Sequence, residues 1–134
     1  MPTLPRVMSR YLKKTQAQTS VVEVAQKMRD DRVGALLVEW NGEIVGIVTE
    51  WDIIEKVVAH GKDFATTTVK DVMTSPANYI QVTNSLQNTL EIMKALGVRH
   101  LVVREAEKVI GIVTLRDLLV YFGWFYEQQS AKTD

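Results

Sequence analysis

The stretch Gly46-Ile47-Val48-Thr49-Glu50-Trp51-Asp52 decides the fold, because it returns 65 residues later as Gly111-Ile112-Val113-Thr114-Leu115-Arg116-Asp117. Sliding the chain by that offset, with no gap, also lays Met8 on Met73, Gln16 on Gln81, Ser20 on Ser85, Met28 on Met93, Val33 on Val98, Leu36 on Leu101 and Val38 on Val103. Apolar residues coincide at Val7/Val72, Ile53/Leu118 and Ile54/Leu119. An ungapped register of this length marks an internal duplication. Its period exceeds the roughly 20–50 residues of solenoid repeats, and there are two copies, so a pseudo-twofold pair of half-domains fits better than an array. The first repeat is assigned residues 1–65 and the second residues 66–134.

Working outward from the motif, each half carries the same pattern. Ser20 opens an apolar series, Val21, Val24, Ala25 and Met28, at helical spacing, and Glu23 stands where a capping box places its acidic partner. The Val- and Leu-rich run from Val33 to Trp40 then meets Asn41-Gly42, a pair suited to a two-residue turn, and Glu43 to Val48 returns as a second strand. Beyond Thr49 the helical period resumes with Ile53, Ile54, Val57 and Val58 and stops near His60-Gly61. The second half repeats this with a helix from Ser85 to Leu96, strands Val98 to Arg104 and Lys108 to Val113, and a helix from Leu115; its turn, Ala106-Glu107, suits positive φ less well. Gly61 to Thr68 connects the halves. The expected class is α+β, two β-α-β-β-α repeats with pseudo-twofold symmetry. A half of this size buries little surface alone, so the two sheets are expected to share one core.

Composition excludes several functions. The 134 residues include 16 Lys plus Arg and 16 Asp plus Glu, a formal net charge of zero, which leaves no broad cationic face for nucleic acid or an anionic membrane. Cysteine is absent and the two histidines lie far apart, so no ordinary metal cluster is expected. No nucleophile–base pairing or P-loop marks an enzyme. Met1 to Arg10 carries no apolar leader and no apolar run approaches a membrane span, so the expectation is a soluble cytoplasmic protein.

The doubled Gly-apolar-apolar-Thr-x-x-Asp motif, each copy closing a helix–strand–strand–helix repeat led in by Val7-Met8-Ser9 or Val72-Met73-Thr74, resembles a tandem pair of cystathionine-β-synthase-type (CBS) domains, a Bateman module. The likeness runs from about Leu4 to Leu119. It implies a non-enzymatic regulatory module. Clefts between its repeats would hold AMP, ADP, ATP or S-adenosylmethionine, sometimes a dinucleotide such as NAD, and would signal by conformational change of a homodimer to a separate partner protein. The other reading left open is a dimerisation or docking scaffold without ligand.

The chemistry of the motif fits such a ligand. Thr49 and Thr114 stand where a strand passes into a helix, and the free N–H groups there attract phosphate. Asp52 and Asp117, in the first helical turn, suit the paired hydroxyls of a ribose. Thr-x-x-Asp is equally an ordinary helix start, with the threonine as cap. By resemblance, one cleft combines Thr114 and Asp117 with Arg116, Arg99 and His100 and with Val33, Gly34 and Ala35; the cations suit phosphate and the small residues leave room for a purine. The other combines Thr49 and Asp52 with Val98, Arg99 and His100; there Glu50 disfavours a polyphosphate and Trp51 either stacks on a base or packs, so this cleft is expected to be weaker, empty, or selective for a less charged ligand such as S-adenosylmethionine. Ser9 and Thr74 match positions that approach the ligand in some members, or else serve as turn hydroxyls.

Five of the ten aromatic residues fall in Tyr121-Phe122-Gly123-Trp124-Phe125-Tyr126. One narrow helical stripe cannot take them all, so some are expected to face outward and favour a homodimer. Gln128 to Asp134 reads as a polar tail.

Overall fold

The first element among the described residues is a single helical turn, α1 (Leu4–Val7), with Pro5 in its first turn where the missing N–H costs nothing. A computed structural model describes residues 3–133, apart from the side chains of residues 125, 126 and 129–133. Its contacts divide into two units, one built from Leu12–Ala77 and the other from Asn78 onward together with the chain start up to Tyr11.

In the first unit, β1 (Lys14–Gln16) is followed by α2 (Val21–Asp31), β2 (Ala35–Trp40) and β3 (Glu43–Thr49). β1 pairs parallel with β2, and β2 antiparallel with β3. Between β1 and the central strand β2, Glu39 accepts from the Gln16 amide and Lys14 ammonium, which hold its carboxyl below the usual carboxylate range. The Asn41-Gly42 turn forms as its residues dictate, at φ +50° and +79°. After Thr49 the chain turns into α3 (Glu50–Ile53) and then widens into a π-helical turn (Ile54–Val58), where the Ala59 N–H reaches the Ile54 carbonyl at 2.9 Å. A regular helix was expected over this stretch. The unit is completed by α4 (Val69–Val72), another single turn.

The second unit repeats the plan with β4 (Tyr79–Gln81), α5 (Leu86–Leu96), β5 (His100–Glu105), β6 (Lys108–Thr114) and α6 (Leu115–Thr133). β4 is parallel to β5, and β5 antiparallel to β6. Its tight turn uses positive φ at Ala106, at +54°. Here the final helix keeps α geometry throughout.

The two short helices lie outside the sequence reading, because four residues are too few to show a period. They lead into bridges that cross the repeats. Ser9 pairs with Ile112 of β6, through Ser9 N–H to the Ile112 carbonyl at 2.8 Å and the reverse bond at 3.0 Å. Thr74 pairs with Ile47 of β3 at 2.8 and 3.0 Å in the same way. Each sheet is therefore capped by a lead-in segment that the repeat register assigns to the other copy.

The buried apolar side chains form two clusters, one in each unit. Leu36, Val38, Val48, Val57, Val69 and Val72 anchor the first, and Leu4, Met93, Leu101, Val113, Leu118 and Tyr121 the second. α1 and α4 thus contribute Leu4, Val69 and Val72, all fully buried, and full burial of such a side chain stabilises by about 1.5–3 kcal/mol. On α2, Val21, Val24 and Met28 are buried as the spacing predicts, whereas Ala25 is exposed. Among the described residues no helix is long and apolar enough to cross a membrane.

Candidate functional site

Each Thr-x-x-Asp copy sits where a strand of its sheet hands over to a helix, and each performs a capping role. At the first copy the Thr49 hydroxyl accepts the Asp52 N–H at 3.1 Å while Asp52 Oδ2 accepts the Thr49 N–H at 2.9 Å, a complete capping box. At the second, Thr114 Oγ accepts the Asp117 N–H at 3.0 Å and Asp117 Oδ2 accepts the Thr114 N–H at 2.9 Å. At Ser20 the expected box is half formed, with the hydroxyl accepting from Glu23 N–H at 3.3 Å.

Beyond this shared scaffold the two carboxylates differ. Asp52 is 5% exposed, and Lys56 and Thr74 both donate to its Oδ1, at 3.0 and 3.2 Å. The Thr49 hydroxyl adds a second bond to Oδ2 at 3.1 Å. Asp117 is only partly buried, and among the described residues no donor falls on its Oδ1. It lines a groove of about 430 Å³ together with Arg6, Val7, Arg116, Val120, Tyr121 and Trp124. Arg6, Arg116, Asp117 and Trp124 thus line one groove beside α1 and the first turns of α6, a composition able to take an anionic ligand with a flat or sugar-like body.

The other expected site residues distribute as follows. Arg99 and His100 open β5 beside the second motif: His100 is in register with Thr114, and the Arg99 carbonyl accepts the Leu115 N–H at 2.8 Å. Arg99 is exposed and His100 half-buried. Gly34 and Ala35 stand in the same relation to the first motif, with Ala35 opposite Thr49 and the Gly34 carbonyl accepting the Glu50 N–H at 2.9 Å. Val33 and Val98 pack on the two core clusters, each sending its N–H back to close the preceding helix, onto Met28 and Met93 at 3.0 and 3.1 Å. Thr74 touches Asp52, while the Ser9 hydroxyl turns to Tyr11 instead. Glu50 and Trp51 are exposed.

Sequence reasoning missed Lys56, Arg6 and Trp124. Lys56 lies four residues after Asp52, and the repeat register sets it against Tyr121; that exchange of a cation for an aromatic ring was the available signal. Arg6 carried none, because its lead-in segment docks on the other copy. Of the aromatic run, Tyr121 is buried, Phe122 packs on the core and Trp124 is 55% exposed; the side chains of Phe125 and Tyr126 lie outside the described residues, as does most of the polar tail.

A fold of two such sheets with a doubled strand–Thr-x-x-Asp–helix junction defines the class of paired CBS modules. The CBS domain model matches residues 6–59 and 69–123, and the chain belongs to the CBS-domain family. Such pairs are typically regulatory and ligand-binding, and adenosine ligands are common among them. An uncharacterised protein of Methanopyrus kandleri is 34% identical over 102 residues, covering 75% of this chain and 52% of that protein. The chain spans about half the length of this relative and of a mitochondrial CBS-domain protein of Arabidopsis thaliana. The crystal structure of an uncharacterised conserved protein from Pyrococcus horikoshii is 31% identical, with a TM-score of 0.84 over 89% of this chain and 90% of that one. Hypoxic response protein 1 of Mycobacterium tuberculosis is 30% identical over 100 residues, covering 74% of this chain and 70% of that protein. Its structure with two coordinated zinc ions has a TM-score of 0.74, at 27% identity, over 87% and 96% of the two chains.

Proposed function

We propose that the chain is a non-enzymatic regulatory module that binds an adenosine ligand at the Thr114–Asp117 junction. AMP, ADP and ATP are the first choice, and S-adenosylmethionine and NAD are further members of the same chemical class. The observation that carries this reading is the open Oδ1 of Asp117 at a groove flanked by Arg6 and Arg116. A carboxylate with a free oxygen accepts ribose hydroxyls, and the guanidinium groups on either side receive phosphate oxygens. Arg99 and His100, on the neighbouring strand of the same unit, supply further donors; Thr49, Asp52, Thr74, Gly34 and Ala35 form the corresponding junction of the other unit. The two coordinated zinc ions are a feature of the mycobacterial relative's structure; among the described residues of this chain no group of three His, Cys, Asp or Glu able to hold a metal occurs.

Signalling then requires that the ligand favour one arrangement of an assembled pair of chains over another, because a ligand with equal affinity for both shifts nothing. Isothermal titration calorimetry with AMP, ATP, S-adenosylmethionine, NAD and adenosine tests the reading. At least one ligand is expected to bind. For a phosphorylated one, Arg116→Ala should weaken binding about tenfold, the loss of about 1.4 kcal/mol from one charge-assisted bond, with adenosine unaffected. Absence of heat from every ligand contradicts the proposal and favours a ligand-free scaffold.

A further inference from the structure

Lys56 has no role in ligand binding at Asp117, yet its ammonium is engaged twice within the first unit. Its ammonium lies 3.0 Å from Asp52 Oδ1 and donates to the Val72 carbonyl at 2.9 Å, so it is tied at two points. With the Thr74 hydroxyl on the same oxygen and two bonds from Thr49 on the other, both Asp52 oxygens are filled from within the chain. Lys56 also stands at the centre of the π-helical turn, a wider winding that the matching stretch of α6 lacks. In the second unit the position matching Lys56 is Tyr121 and that matching Thr74 is Ser9, whose hydroxyl is directed at Tyr11; Asp117 keeps one oxygen open.

A ribose diol arriving at Asp52 would have to displace a tethered cation from a carboxylate that is itself almost entirely buried. Separating that pair leaves a poorly solvated anion whose charge two hydroxyl groups do not match. We infer that Lys56 is a built-in counter-ion that closes the first unit's carboxylate to ligand, so that each chain takes up one adenosine-type ligand, at Asp117, where the duplicated motif alone would provide two. This rests on the reading of Asp117 given under Proposed function.

The test is calorimetric stoichiometry with AMP and with ATP as probes. The Lys56→Tyr/Thr74→Ser variant copies the pair already present in the second unit, and Lys56→Met is a second, independent opening of the site. Folding of each is checked by circular dichroism. Wild type is expected to bind one ligand per chain and Asp117→Ala none. Either folded opened variant should bind two, and should keep one when Asp117→Ala is added; Lys56→Arg should stay at one. Two ligands per wild-type chain, or one per chain in the opened variants, overturns the role of Lys56 while leaving the function at Asp117 standing. No binding of either nucleotide by wild type and opened variants alike overturns both.

Discussion

Gly46 and Gly111 open the two copies of the motif, and their role is one of clearance. A Cβ at Gly46 would stand 2.6 Å from the Thr74 carbonyl oxygen, and one at Gly111 would stand 2.6 Å from that of Ser9. Both oxygens are held in backbone hydrogen bonds to β3 and β6, so the lead-in segment has to shift to admit a methyl group. Gly46→Ala and Gly111→Ala are each expected to cost about 1–3 kcal/mol, the usual penalty of overpacking a tight contact. Urea denaturation reads this directly, and an unchanged midpoint in both variants would show that the crossing segments yield freely. The spacing of the motif was legible in the sequence, but the reason for its glycines was not, because the group that excludes a side chain lies on a segment that the repeat register places in the other half.

The helices that lead into each hairpin supply an internal comparison. α2 ends on Arg32 at φ +54°, whereas α5 ends on Gly97 at φ +68°, and the two positions match in the repeat register. A hypothetical Cβ at Gly97 meets nothing within 4 Å, so the difference between the two caps is torsional. Arg32→Gly should therefore stabilise the protein by about 0.5–1 kcal/mol and Gly97→Ala should destabilise it by a similar amount. Thermal unfolding checks both signs, and a neutral Gly97→Ala would contradict the assignment. These helices and the hairpins were readable from the chain, since Ser20, Ser85 and Asn41-Gly42 punctuate long periodic runs. The π-helical turn was not readable: Ile53, Ile54, Val57 and Val58 fit an α period, yet the wider turn leaves Ile54 and Val58 exposed beside buried Val57.

At the level of the assembled chain, six of the large apolar side chains left in solvent lie on corresponding elements, while Tyr11, Phe64, Tyr79 and Leu96 are scattered elsewhere. Trp51, Ile54 and Val58 lie on α3 and the π turn of one unit, and Leu119, Val120 and Trp124 on α6 of the other, each about half exposed or more. Such groups favour association, and we propose a homodimer that buries Trp51, Ile54, Val58 and Leu119, while Val120 and Trp124 line the groove at Asp117. Size-exclusion chromatography with light scattering should report a dimer at micromolar concentration and a monomer for Leu119→Glu; a monomeric wild type would remove this part of the account. Zero net charge describes the chain as a whole, whereas Arg6, Arg116 and Asp117 meet at one groove, so the balance of charge is compatible with a single small anionic ligand. In the proposed function two carboxylates with the same sequence context divide the labour, Asp52 holding its unit together and Asp117 receiving the ligand. Thermal unfolding of Asp52→Ala and Asp117→Ala, with and without saturating AMP or ATP, tests it most directly. Asp52→Ala should lose about 2–3 kcal/mol by stranding Lys56 and Thr74, a fall of several degrees, and keep its ligand-induced shift; Asp117→Ala should lose about 0.5–1 kcal/mol as a weakened cap and show no shift. The reverse pattern, with the ligand shift lost in Asp52→Ala and retained in Asp117→Ala, would contradict the account.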